Sequence, residues 1–193
     1  MEPQDLPRTL RRLEPGGWLD AARRFASSLR SAGHEPGRLL VVGTPEDEPW
    51  HLTAHLADAA RWRSLPSLQP TLVRWQVPVG APAHLSVGLE AVHTAARGTT
   101  VLVASPSQAD DRLLERLDDA RRGGATLFAL HPGDGPLDEL AHESLALPPT
   151  GLVPAADRFE KVASAPSTIM TVQASAFLSA SAETTAFSLG EVS

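Results

Sequence analysis

Residues 100–149, TVLVASPSQADDRLLERLDDARRGGATLFALHPGDGPLDELAHESLALPP, decide the fold. Thr100-Val101-Leu102-Val103-Ala104 is a short apolar strand, and residues 109–122 follow as a strongly amphipathic helix with Leu113, Leu114 and Leu117 on one face. Gly123-Gly124 ends that helix, and residues 125–130 form the next strand. Residues 131–135 turn the chain, 136–142 make a short helix and 144–147 a last strand, closed by Pro148 and Pro149.

The same alternation extends toward the N-terminus. Residues 17–32 place Trp18, Leu19, Ala22, Phe25, Ala26 and Leu29 at helical spacing, and Gly33 stops them. RLLVVG, residues 38–43, is a continuous apolar run ending in glycine, as expected of a strand buried on both faces. Residues 44–48 form a loop, Pro49 suits the first turn of a helix reaching about Arg63, residues 71–75 make a second strand, and residues 82–96 a helix. Strands separated by single helices imply right-handed crossovers and a parallel sheet covered on both faces. The expected fold is one doubly wound α/β domain, a five-stranded parallel sheet in a three-layer sandwich. It spans residues 17–182, ending in a helix over 167–182, with an N-terminal arm over 1–16 and a polar tail over 183–193.

Composition narrows the function. The chain has 193 residues, 42% of them apolar and 21% charged, which suits one soluble domain with a real core. No run approaches the ~18 consecutive apolar residues of a membrane span, and the opening MEPQDLPRTLRR has no secretory core, so a cytoplasmic protein is expected. With no cysteine, disulfide scaffolds, iron–sulfur sites and thiol catalysis are excluded. A net charge of −6 argues against a nucleic-acid-coating surface.

Residues 100–148 resemble the second half of a sugar isomerase (SIS) domain. In that family a strand runs into a serine loop of the type S-x-S-G-x-T at a helix start, followed by an R-x-x-G-A stop, a short strand and S-P-L-x-x-L-A-D. The counterparts here are VLVASPSQADDRLLERLDDARRGGATLFAL and HPGDGPLDELAHESLALPP. RLLVVG, EPWHLTAHLADAARW and APSTIMTVQASAFLSA fit the rest of the family's order more loosely.

The resemblance implies that a phosphorylated sugar, or a similar small anion, sits between Gly43-Thr44 and Ser105-Ser107-Gln108, with Ser105 and Ser107 on the family's two serines. Hydroxyls and orphan N–H groups at a helix N-terminus suit an anion. Gln108 replaces the family's glycine and Asp110 its threonine, which brings a carboxylate toward the phosphate. On the residues alone, Ser107 or Asp110 serves equally well as N-cap of the following helix. In the first loop, Thr44-Pro45-Glu46-Asp47-Glu48 stands where the family has G-x-G-x-S, and its carboxylates are expected to complement the dipole of the next helix.

If the domain catalyses anything, the resemblance implies aldose–ketose isomerisation, which needs a general base. Glu90 and His93 before the third strand, and His131 at the end of the fourth, are the weak candidates; each also reads as an ordinary surface or turn residue. His51 and His55 lie four apart on a helix, but no third ligand accompanies them, so no metal and no cofactor are expected. Two functions compete: a phosphosugar-binding enzyme or sensor, and a non-catalytic scaffold for dimerisation or protein interaction. A homodimer or homotetramer is expected, since SIS-like chains commonly pair. A receiver domain is rejected because Ser105 stands where an aspartate is required and the chain's lone lysine is Lys161; a dinucleotide-binding fold lacks its G-x-G-x-x-G.

Overall fold

The computed structural model describes residues 17–32 and 36–147. The arm 1–16, the stop at Gly33, the helix 167–182 and the tail 183–193 lie outside the described residues. Helix α1 (Trp18–Ala32) buries Ala22, Phe25, Ala26 and Leu29, the stripe expected from their spacing. Phe25 meets Phe128 edge-on, with ring centroids 5.3 Å apart. Strand β1 (Leu39–Val42) is buried throughout. Helix α2 (Trp50–Trp62) follows, then β2 (Pro70–Leu72), the single-turn α3 (Glu90–His93), β3 (Thr100–Ala104), α4 (Asp111–Arg122), β4 (Thr126–His131), α5 (Pro136–Leu140) and β5 (Glu143–Ala146).

All five strands are parallel, in the order β2-β1-β3-β4-β5. Successive strand residues face opposite ways. Leu39, Val41, Leu102, Ala104, Phe128 and Leu130 pack with α1 and α2. Leu40, Val42, Val101, Val103, Leu127 and Ala129 pack with α3, α4 and α5. The expected three-layer architecture is therefore the observed one. Each fully buried leucine, such as Leu113 or Leu117 on α4, contributes about 1.5–3 kcal/mol to holding the layers together.

Two expected helices are shorter than their patterns. Residues 82–96 yield only a 3-10 turn at Ala83–Leu85 and the four residues of α3. The intervening segment instead runs beside the chain after β2: the Arg74 N–H donates to Val87 O at 2.8 Å, and Arg74 bridges Gly88 in parallel. Helix α5 ends at Leu140 because His142 joins β4, donating its N–H to Leu127 O at 2.9 Å and accepting the Leu127 N–H on Nδ1 at 3.0 Å.

The order 2-1-3-4-5 has one consequence for function. The chain leaves β1 through α2 toward one face and leaves β3 through α4 toward the other. A crevice therefore opens between the carboxyl ends of these neighbouring strands.

Candidate functional site

On the β1 side of the crevice the chain doubles back on itself. The Asp47 N–H donates to Thr44 O at 3.2 Å, closing a turn. A Cβ at Gly43 would lie 2.1 Å from Asp47 O and 2.7 Å from Pro49 Cδ, so only glycine fits there. The segment after β2 clamps this turn. Arg74 Nε lies 3.2 Å from Glu48 Oε2, and the Trp75 N–H donates to Glu48 Oε1 at 3.0 Å. The indole N–H of Trp75 donates to Gly43 O at 2.9 Å. The Arg74 guanidinium also stacks 4.5 Å from the centre of the Trp50 ring. Glu48 is thus a tether between two loops, and α2 has no side-chain cap, contrary to the expectation that the acidic residues cap it.

Two oxygens in the same turn have no partner. Thr44 is 2% exposed and Asp47 6%, yet neither Thr44 Oγ1 nor Asp47 Oδ2 meets a donor or acceptor among the described residues. Burial pushes the Asp47 carboxyl above the usual aspartate range. Beside them is an open cleft of about 440 Å³ lined by Pro45, Glu46, Asp47, Glu48, Trp50 and His51.

The β3 side is built the other way. The Ser105 N–H donates to Leu130 O at 2.8 Å, and its buried hydroxyl donates to Ser107 O at 2.6 Å. Asp110 is the N-cap of α4, accepting the Arg112 N–H at 2.8 Å from an extended backbone. That decides between the two possible caps in favour of Asp110. Among the described residues no group receives the N–H of Ser107, Gln108 or Ala109, and the Ser107 side chain is exposed. Gly43, Thr44, Ser105, Ser107 and Gln108 therefore come to one edge of the sheet. Ser105 serves there as a loop staple, while Ser107 and Gln108 present donors.

The three base candidates do not converge. Glu90 opens α3, exposed. His93 Nδ1 lies 3.1 Å from Asp119 Oδ2, joining α3 to the C-terminal half of α4, away from the crevice. His131 is buried at the end of β4; its Nδ1 accepts the Gly133 N–H at 3.2 Å, and Nε2 faces Asp138 Oδ1 at 3.4 Å, long for a hydrogen bond. Both ring nitrogens thus have neighbours within the turn and α5. His51 is exposed at the cleft and His55 half-buried on α2; among the described residues no three His, Asp or Glu side chains group as a metal site.

Asp47, Trp50, Arg74 and Trp75 went unremarked as site residues in the sequence. Arg74 and Trp75 contact positions some 25–30 residues away, and no local pattern announces such a pairing.

No protein-family model matches this chain, and no curated protein matches it in sequence. Among solved structures it is similar to E. coli CFT073 c3406 in complex with a phosphosugar, at 18% identity and a TM-score of 0.52, over 97% of this chain and 95% of that one. It also overlaps the Vibrio vulnificus NanR protein complexed with ManNAc-6P, at 13% identity and a TM-score of 0.49, over 94% of this chain and 64% of that one. At such identity the likeness to the first establishes a shared fold.

Proposed function

We propose that this chain is a SIS-like domain that binds a phosphorylated sugar at the carboxyl ends of β1 and β3. The observation that carries the reading is the state of the β3 loop. Its side-chain oxygens at Ser105 and Asp110 are engaged within the loop, whereas the N–H groups of Ser107, Gln108 and Ala109 are free at the N-terminus of a twelve-residue helix. Backbone donors aligned with a helix dipole suit a phosphate. The Asp110 carboxylate, held on the Arg112 N–H, weakens this attraction without occupying the donors. The fold shared with a protein solved in complex with a phosphosugar supports the same ligand class.

Sugar phosphates titrated against the protein should raise its melting temperature. A ligand at about one hundred times its dissociation constant adds about 2.7 kcal/mol to stability. Ser107→Ala should weaken that binding by about 0.5–1.5 kcal/mol. A full panel of sugar phosphates producing no shift would remove the reading.

A second reading, an interaction scaffold pairing as a homodimer, is favoured by the fully exposed Val79 and by Trp62, 82% exposed at the end of α2. Light scattering at micromolar concentration tests it; a monomer counts against it.

A further inference from the structure

The two sides of the crevice carry opposite chemistry, and this bears on which sugar phosphate enters. The β3 side offers N–H donors. The β1 side offers carboxylates with no cation of their own: Arg74 is engaged by Glu48 and stacked on Trp50, and no Lys or Arg among the described residues pairs with Glu46 or Asp47. Asp47 borders the 440 Å³ cleft while its Oδ2 is buried without a donor, and Thr44 Oγ1 three residues earlier is likewise unpartnered. A buried polar atom left unpaired is costly, so its retention beside an open cleft points to a ligand group that completes it. Neighbouring strands lie about 4.8 Å apart, which sets donors and carboxylates within reach of one monosaccharide.

We infer that the ligand is an aminated sugar phosphate, its phosphate held by the N–H groups after β3 and its ammonium held by the Glu46 and Asp47 carboxylates after β1. This rests on the phosphosugar reading above and narrows it to a zwitterion. The ammonium supplies the donors that Asp47 Oδ2 lacks, and it offsets the carboxylates that would otherwise repel the phosphate. The exposed part of the Trp50 ring at the cleft suits the apolar face of a pyranose.

Calorimetric titration of the full chain with glucosamine 6-phosphate, glucose 6-phosphate and N-acetylglucosamine 6-phosphate separates the two proposals. Glucosamine 6-phosphate should bind about tenfold tighter than glucose 6-phosphate, and acetylation, which removes the charge, should abolish that preference. Asp47→Asn should erase most of the preference, and the exposed Glu46→Gln, which leaves the turn intact, should reduce it. Equal affinity for the charged and uncharged sugars would overturn the inference and leave phosphosugar binding standing. Failure of all three phosphates to bind would overturn both.

Discussion

The loops after β1 and β3 leave adjacent strands of one sheet, yet they satisfy their polar groups by opposite means. After β3 the side chains serve the backbone: Ser105 and Asp110 each take a partner within their own loop, and N–H groups remain free. After β1 the backbone closes on itself through Gly43 and the Thr44–Asp47 turn, and side-chain oxygens are left over. The first arrangement presents donors and the second acceptors. A crevice between them is polarised before any ligand arrives, and that polarity follows from which atoms the fold has already used.

The sharpest way to break the comparison is Gly43→Ala. The new methyl would stand 2.1 Å from Asp47 O, backbone that cannot move without opening the turn and disturbing Pro49. The expected loss is about 3 kcal/mol, the upper part of the range for forced overpacking, read as a lowered melting temperature. Gly88 is the matched control, because a Cβ there meets only Val77 Cγ2 at 3.5 Å. If Gly43→Ala melts like wild type, the β1 turn is not the closed structure described.

A milder test addresses the other loop. Asp110→Ala removes the acceptor for the Arg112 N–H and should cost about 1 kcal/mol, as for other lost N-caps. Asp110→Thr keeps a capping oxygen but removes the charge, so stability should change by only a few tenths of a kcal/mol while sugar-phosphate affinity rises. Equal destabilisation by Ala and Thr would mean that the carboxylate matters for its charge instead of its cap.

These two loops were unequally legible in the sequence. The sheet was readable because its strands are buried on both faces, so Leu39–Val42 and Thr100–Ala104 appear as unbroken apolar runs, and α4 shows its stripe at Leu113 and Leu117. The donor loop after β3 was readable too, since caps and turns are local chemistry. The β1 loop was not. Glu46, Asp47 and Glu48 look alike in sequence, and what separates them is Arg74 and Trp75, brought to Glu48 by the pairing of β2 with β1. The overlong helix expected over 82–96 has the same origin, for the bond from Arg74 to Val87 is tertiary and overrides a local pattern.

The smallest expected effect is also the one most specific to the β1 loop. Burial raises the Asp47 carboxyl above its ordinary range, so between the unfolded and folded values the native state holds a proton that the unfolded chain has released. Stability from this group is therefore full below the ordinary aspartate range and is lost as pH rises through the folded value. His142 has the opposite sign. Burial, aided by Arg121, lowers its imidazole, whose neutral Nδ1 accepts the Leu127 N–H; its contribution is present above the ordinary histidine range and lost as pH falls. Asp47→Asn should accordingly melt slightly higher than wild type at pH 7, with the gain shrinking as the pH approaches 4. Thermal melts of both proteins across pH 4–8 check this. A variant less stable than wild type at pH 7 would mean that the carboxylate has a cation partner in the free protein, and the acceptor character assigned to the β1 side would go with it.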